Sequence, residues 1–200
     1  MRVILASRSP RRREILTMLG VKFEIVSADV DESSPEPDPT ALVQELALRK
    51  GRATRDLLAA RGEWDASTLI IASDTVVAKG NTILGKPADD ADAARMLHLL
   101  AGSTHSVISG IALLTGEREI TDVDTTSVRF GPMTDAEIAR YVQTGEPRDK
   151  AGAYAVQGLA SLWIEGLDGD YFNVVGLPVH RLGALVHRFL GVTLPELDRK

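Results

Sequence analysis

Val3-Ile4-Leu5-Ala6-Ser7-Arg8-Ser9-Pro10-Arg11-Arg12-Arg13 joins an apolar tetrad to a polar turn and a proline-led basic segment. The tetrad reads as a short buried strand. Ser9 and Pro10 read as the N-cap and first turn of a helix that carries Ile15, Leu16 and Leu19 and stops at Gly20. Phe23 to Val26 is a second short strand, and the acidic, proline-rich stretch from Ala28 to Pro39 is a loop. Asp38-Pro39 starts a long helix with Leu42, Leu46, Ala53, Leu57 and Leu58 on its apolar face, ending before Gly62. Thr68 to Ala72 and Thr75 to Ala78 are strand-like, with Lys79-Gly80-Asn81-Thr82 as a tight hairpin turn. A helix from about Asp89 places Ala93, Met96, Leu97 and Leu100 on one side and stops at Gly102. His105 to Leu114 and Glu119 to Phe130 flank Thr115-Gly116 as a long antiparallel pair. Thr134-Asp135-Ala136-Glu137 is a capping box for a helix through Ile138, Tyr141 and Val142 to Gly145. Ser161 to Glu165 reads as a further strand, and Pro178 opens a last helix with Leu182, Leu185, Val186 and Phe189 facing inward. Strands and helices interleave, with at least one hairpin, which predicts an α/β fold on a mixed sheet rather than a purely parallel one.

At 200 residues the chain is long enough for a full hydrophobic core, and residues 1–200 are expected to form a single domain. Its composition, 44% hydrophobic and 26% charged, is that of a folded globular protein and excludes disordered and collagenous classes. The absence of cysteine removes disulfides, thiolate metal sites and thiol nucleophiles, so any metal must use oxygen or imidazole ligands. A net charge of −5 and nine aromatic residues argue against a nucleic-acid-coating protein. The polar segment after Ala6 is no signal-peptide core, and no apolar run approaches the roughly 20 residues of a membrane span. A cytoplasmic protein with no nucleic-acid and no membrane partner is expected.

Five segments carry chemistry. Ser7 to Arg12 sets hydroxyls, backbone N–H groups and guanidinium groups at a strand-to-helix turn, an anion site. Three consecutive arginines at a helix N-terminus oppose the macrodipole, and a bound phosphate explains them better than helix stability does. Asp74, between two apolar strand-like runs, is a candidate general base or metal ligand, with a turn-forming role as the alternative. The acidic loop offers Asp29, Asp31 and Glu32 as oxygen donors for Mg²⁺, or as a solvated surface. Gly80 to Lys86 has P-loop spacing, but Pro87 stands where Ser or Thr would bind Mg²⁺ and pushes Lys86 toward extended backbone, which leaves Lys86 as a point charge for a ligand. Pro147 to Gly158 supplies Lys150 for phosphate, Tyr154 for stacking or hydrogen bonding, and Gln157 for a heterocycle edge, or else forms a plain surface loop. The four histidines show no metal-ligand spacing.

Taken together, Leu-Ala-Ser-Arg-Ser-Pro-Arg-Arg from Leu5, Ala-Ser-Asp-Thr-Val-Val from Ala72, Gly85-Lys86-Pro87, Asp-Lys-Ala-Gly-Ala-Tyr-Ala-Val-Gln-Gly from Asp149 and Asn-Val-Val-Gly-Leu-Pro from Asn173 resemble the Maf family of nucleoside triphosphate pyrophosphatases. The resemblance implies a Maf/ITPase-like, two-lobed fold with a twisted mixed sheet flanked by helices and a central cleft. The implied reaction is hydrolysis of a nucleotide between its α and β phosphates. It assigns Ser7, Arg11, Arg12, Lys50, Lys86 and Gln157 to substrate binding, Asp74 to catalysis, and Glu32 with Asp74 to a divalent cation, Mg²⁺ or Mn²⁺. Arg11, Lys86 and Gln157 match the pyrimidine branch, acting on dTTP, UTP and modified pyrimidine nucleotides, whereas the branch associated with 7-methylguanosine triphosphate has Trp at the first of these. A homodimer is implied as well. The family is also linked to inhibition of septum formation, so a regulatory interaction protein is the alternative. Among small departures, Gly51 stands where Ala commonly follows the lysine, at a helix cost of about 1 kcal/mol.

Overall fold

The computed structural model describes residues 1–116 and 118–199, and positions 117 and 200 of the expected domain lie outside it. In chain order its elements are β1 (Arg2–Leu5), α1 (Pro10–Met18), β2 (Glu24–Ile25), α2 (Pro39–Ala60), β3 (Thr68–Lys79), β4 (Thr82–Leu84), α3 (Asp90–Leu100), β5 (Ser103–Thr115), β6 (Arg118–Phe130), α4 (Asp135–Gln143), β7 (Ile164–Asp168), α5 (Tyr171–Val175) and α6 (Val179–Leu190). Short 3-10 helices occupy Glu146–Asp149, Ala151–Ala153, Leu159–Trp163 and Leu194–Arg199. The strands follow the order β2-β1-β3-β5-β6-β7, with β4 beside β3. β1 pairs parallel with β2 and β3, whereas β3 with β4 and β6 with β7 are antiparallel, so the α/β fold has the mixed sheet that the interleaved pattern predicts. Among the described residues no helix is long and apolar enough to cross a membrane.

The chain divides into two compact units: Met1–Asp74, Ser109–Asp124 and Gly176–Lys200 in one, Thr75–Ile108 and Thr125–Val175 in the other. The first unit packs Ile4, Ala6, Ile70 and Ala72 of the strand region against Ala47 and Leu58 of α2 and Ala112 and Leu114 of β5. Asp38 caps α2, its carboxylate accepting from the Thr40 and Ala41 N–H groups. The buried stripe of α2 is Val43, Leu46, Ala47, Gly51, Thr54 and Leu58, while Leu42, Ala53 and Leu57 of the expected face are only half-buried. The reason lies in β5, where a Cβ at Gly110 would stand 2.5 Å from the Val43 carbonyl carbon. The missing side chain lets the helix backbone touch the strand and turns Val43, not Leu42, inward. Gly51 has a related explanation, since a Cβ there would collide with the Leu114 side chain. The larger Leu114 fills the space that Ala would take, which offsets the helix cost of glycine.

The second unit closes around Val77, Met96, Leu97, Leu100, Phe130, Ile138, Tyr141 and Tyr154. Asp89 caps α3 by accepting from the Asp92 N–H at 2.7 Å, and Thr134 with Glu137 forms the expected capping box on α4.

Two sequence expectations change. Thr68 to Ala78 is one strand rather than two, so Asp74 lies in mid-strand and not at a strand end. Ser73 and Asp74 are both buried there, and the backbone runs on in extended form through a sequence that lacks Gly or Pro to stop it. The strand expected over Ser161 to Glu165 is a 3-10 helix up to Trp163, and β7 begins at Ile164. Leu-Ala-Ser-Leu-Trp has no β-branched residue, and the Trp163 carbonyl is taken by the Gly131 N–H at 2.6 Å before the ladder with β6 starts.

His105 of β5 is buried in the second unit. Its Nε2 shares a hydrogen bond with the Tyr154 hydroxyl at 2.8 Å, its ring meets Tyr154 edge-on at 5.4 Å, and its Nδ1 has no hydrogen-bond partner among the described residues. Burial, helped by the charge of Lys79, lowers its pKa to about 4. Between that value and the ordinary 6.5 the unfolded chain binds a proton that the folded chain refuses, so stability rises with pH across this window and is level above it. Full protonation forfeits about 3 kcal/mol. Unfolding midpoints measured from pH 7 down to 4.5 are therefore expected to fall more steeply for the wild type than for His105→Phe. Parallel curves would assign the acid lability to other groups.

Candidate active site

Ser7 to Arg12 brings a buried hydroxyl and a fixed guanidinium together in the first unit. Pro10 sets the first turn of α1, and Ser9, although it occupies the N-cap, makes no side-chain cap bond; its N–H donates to Ser7 Oγ at 3.2 Å. Arg12 donates from Nε to the Gly176 carbonyl at 2.7 Å and from a terminal nitrogen to Ser7 Oγ at 3.3 Å. The same carbonyl accepts from Ser73 Oγ at 3.3 Å. Gly176 has φ 121°, a conformation that favours glycine, and this aims its carbonyl at both donors. Burial pulls the Arg12 pKa below its ordinary value, partly countered by the nearby carboxylates of Asp74 and Glu32 and reinforced by the charge of Arg11. A guanidinium held on two sides, beside a second arginine and at a helix N-terminus, is equipped to bind an anion with several oxygens.

Lys50 of α2 organises the carboxylates. Its Nζ donates to Asp74 Oδ1 at 2.5 Å and meets Glu32 Oε1 at 2.9 Å. Asp74 is nearly enclosed, Lys50 mostly so, and Glu32, within the acidic loop, half-exposed. The other acids of that loop are engaged elsewhere. Asp29 pairs with Arg8, and the Ser33 N–H and hydroxyl donate to Asp31, lowering its pKa. Among the described acids of this loop, only Glu32 meets Lys50 beside Asp74. Two carboxylates gathered on one ammonium make a place where positive charge is already favoured, and Mg²⁺ typically takes one or two carboxylates with substrate phosphates completing its shell. The donor set fits such an ion as a partner to substrate. Among the described residues no group of three or more His, Asp or Glu side chains is placed to hold a metal ion alone.

Lys86 and Gln157 belong to the second unit, where both are exposed. Their segments are tied together by the Gly152 N–H donating to the Gly85 carbonyl at 3.0 Å, and by Arg148 holding Asp90 through two bonds of 2.9 and 3.0 Å. A Cβ at Gly152 would meet the Val77 side chain at 2.7 Å, so this close approach also requires glycine. Two candidates of the same loop turn out to be structural. Lys150 donates to the Glu146 carbonyl at 2.7 Å and to Asp149 at 2.5 Å, folding back on its own turn. Tyr154 is buried against His105 and Phe130, and is not presented for stacking on a ligand.

Ser7, Arg12, Glu32, Lys50 and Asp74 thus form one connected group in the first unit, with Arg11 acting on it by charge, while Lys86 and Gln157 sit in the other unit. Sequence reasoning missed the acceptor that fixes Arg12, because Gly176 lies 164 positions away. Its only local sign was the glycine within Asn-Val-Val-Gly-Leu-Pro.

A family description, Maf-like protein, matches residues 2–189. A dTTP/UTP pyrophosphatase of Alkaliphilus oremlandii (strain OhILAs) is 44% identical over 195 residues, covering 96% of this chain and 98% of that protein. One of Symbiobacterium thermophilum is 44% identical over 188 residues, covering 94% and 93%. Among solved structures, the Staphylococcus aureus Ham1 protein is similar with a TM-score of 0.43 and 13% identity, over 65% of this chain and 72% of that one.

Proposed function

The chain belongs to the Maf family, and from that premise we propose that it is a nucleoside triphosphate pyrophosphatase that converts dTTP and UTP to the monophosphate and pyrophosphate. The single observation that carries the reading is the Arg12 guanidinium, locked by Ser7 and Gly176 and within the field of the Lys50-held pair Asp74 and Glu32. Phosphate-binding cations and a carboxylate base in one group are the equipment of anhydride hydrolysis. The pyrimidine preference is drawn from the names of the relatives and from Arg11, Lys86 and Gln157.

In the proposed reaction water adds at the α phosphorus, the bond from that phosphorus to the bridging oxygen breaks, and pyrophosphate leaves. Asp74 takes the proton of the water. Arg12, Arg11 and Ser7 bind phosphate oxygens and disperse the charge that moves onto the leaving group. Lys50 keeps the two carboxylates in register. A divalent cation, Mg²⁺ or Mn²⁺, held by Glu32 and Asp74 would add charge neutralisation at the phosphates. Lys86 and Gln157 are assigned to substrate selection on the family resemblance, with the amide of Gln157 able to donate to and accept from a base edge. The same resemblance supports residues 1–200 as one Maf-type domain, a cytoplasmic address and a homodimer.

Purified protein with Mg²⁺ and separate dTTP, UTP, CTP, purine triphosphates and 7-methylguanosine triphosphate tests bond and base together. Pyrophosphate from dTTP and UTP is expected. Orthophosphate release would move the cleaved bond, and preferred turnover of a purine would overturn the pyrimidine reading.

A further inference from the structure

Gln157 is exposed, yet the backbone on both sides of it is held by two side chains that no motif brought forward. Tyr141 of α4 is buried, and its hydroxyl donates to Glu146 Oε1 at 2.7 Å while accepting from the Ala155 N–H at 3.3 Å. Glu146 Oε2 accepts from the Leu159 N–H at 3.1 Å. Between these two anchor points the Gly158 N–H closes a turn onto the Ala155 carbonyl at 3.0 Å. A Cβ at Gly158 would stand 2.5 Å from Glu146 Cδ, so the turn lies directly on the carboxylate, which a side chain at 158 would displace. Burial, with the Glu146 hydrogen bond, raises the Tyr141 pKa, so the phenol stays a donor across the working pH range.

We infer that Tyr141 and Glu146 are positioning residues for substrate selection: one hydrogen-bonded pair grips residue 155 before Gln157 and residue 159 after it, and so sets the direction of the Gln157 amide. A side chain on an exposed turn loses recognition power when its backbone wanders, because the ordering cost then falls on the binding step. The inference rests on the proposed base-reading role of Gln157.

The test is a double-mutant cycle on dTTP hydrolysis, with thermal unfolding of every variant alongside. Gln157→Ala is expected to raise KM about tenfold with kcat little changed, the pattern of lost binding. Glu146→Ala is expected to reproduce most of that rise. Combined with Gln157→Ala it should add nothing further, since there is no amide left to position. Glu146→Gln, which keeps an acceptor for the Leu159 N–H, should recover part of the loss, and Tyr141→Phe should fall between. These milder variants carry the test if Glu146→Ala does not fold. Wild-type KM in Glu146→Ala and Tyr141→Phe, or effects that multiply in the combination, would overturn the positioning role while leaving Gln157 in place. Wild-type KM in Gln157→Ala would instead remove the base-reading role, and this inference with it.

Discussion

Asp74→Asn is expected to lower kcat for dTTP by about a thousandfold or more, within the range that general acid-base groups supply. The change keeps shape and hydrogen bonding but removes the charge that, in the proposed reaction, accepts the proton of the water and draws a cation. Asp74 is almost wholly enclosed in mid-strand, where an isosteric amide can occupy the same space. Lys50 loses the charge of its 2.5 Å partner but retains that of Glu32 at 2.9 Å, so it is not left as an isolated buried charge. The variant should therefore still unfold cooperatively. Pyrophosphate release at saturating dTTP and Mg²⁺, measured beside a melting curve, separates the two effects. Undiminished turnover would remove Asp74 both as base and as cation ligand.

Arg12→Lys should raise the KM for dTTP by about a hundredfold. Charge is conserved in this substitution, and the fork is not. Arg12 spends Nε on the Gly176 carbonyl and a terminal nitrogen on Ser7, and these two bonds fix the plane of the guanidinium. A lysine has one nitrogen on a flexible stem and cannot hold a carbonyl, a hydroxyl and a phosphate in fixed directions at once. Two charge-assisted hydrogen bonds lost or misdirected account for a factor of this size. Inhibition by free pyrophosphate should weaken in parallel, because that ligand consists of phosphate groups alone. An unchanged KM would show that Arg12 is a structural tie between α1 and Gly176, and would leave phosphate binding to Arg11 and Ser7.

Most element boundaries were legible because their signals are local. Pro10, Asp38 with Pro39, Asp89, and Thr134 with Glu137 all act on backbone groups within the next few residues, and each starts a helix in the structure. Two of the misjudged segments are those where a distant partner outweighs local pattern. Ser161 to Glu165 looked extended, but pairing with β6 begins only at Ile164. On α2, Leu46 and Leu58 are buried as expected, but Val43 replaces Leu42 because Gly110, far along the chain, admits the helix backbone there.

The candidate site divides in the same way. Its residue types, and the expectation of an anion beside a carboxylate, were readable from short motifs, since helix N-termini, guanidinium groups and acidic loops declare their chemistry where they stand. Tertiary folding alone turned Lys150 and Tyr154 inward, and supplied the Gly176 carbonyl and the Tyr141–Glu146 clamp, while Glu32, which the family resemblance names, meets Asp74 through Lys50. The cause is strand register and helix placement. Pairing Arg2 through Leu5 with Thr68 through Ile71 sets the 6–12 turn and Asp74 at fixed heights on neighbouring strands, and α2 then delivers Lys50 to the carboxylate. Hydrogen bonds act only within about 3 Å, so which of several chemically suitable side chains takes part depends on contacts made across long stretches of chain, whereas the kind of chemistry is written in the residues themselves.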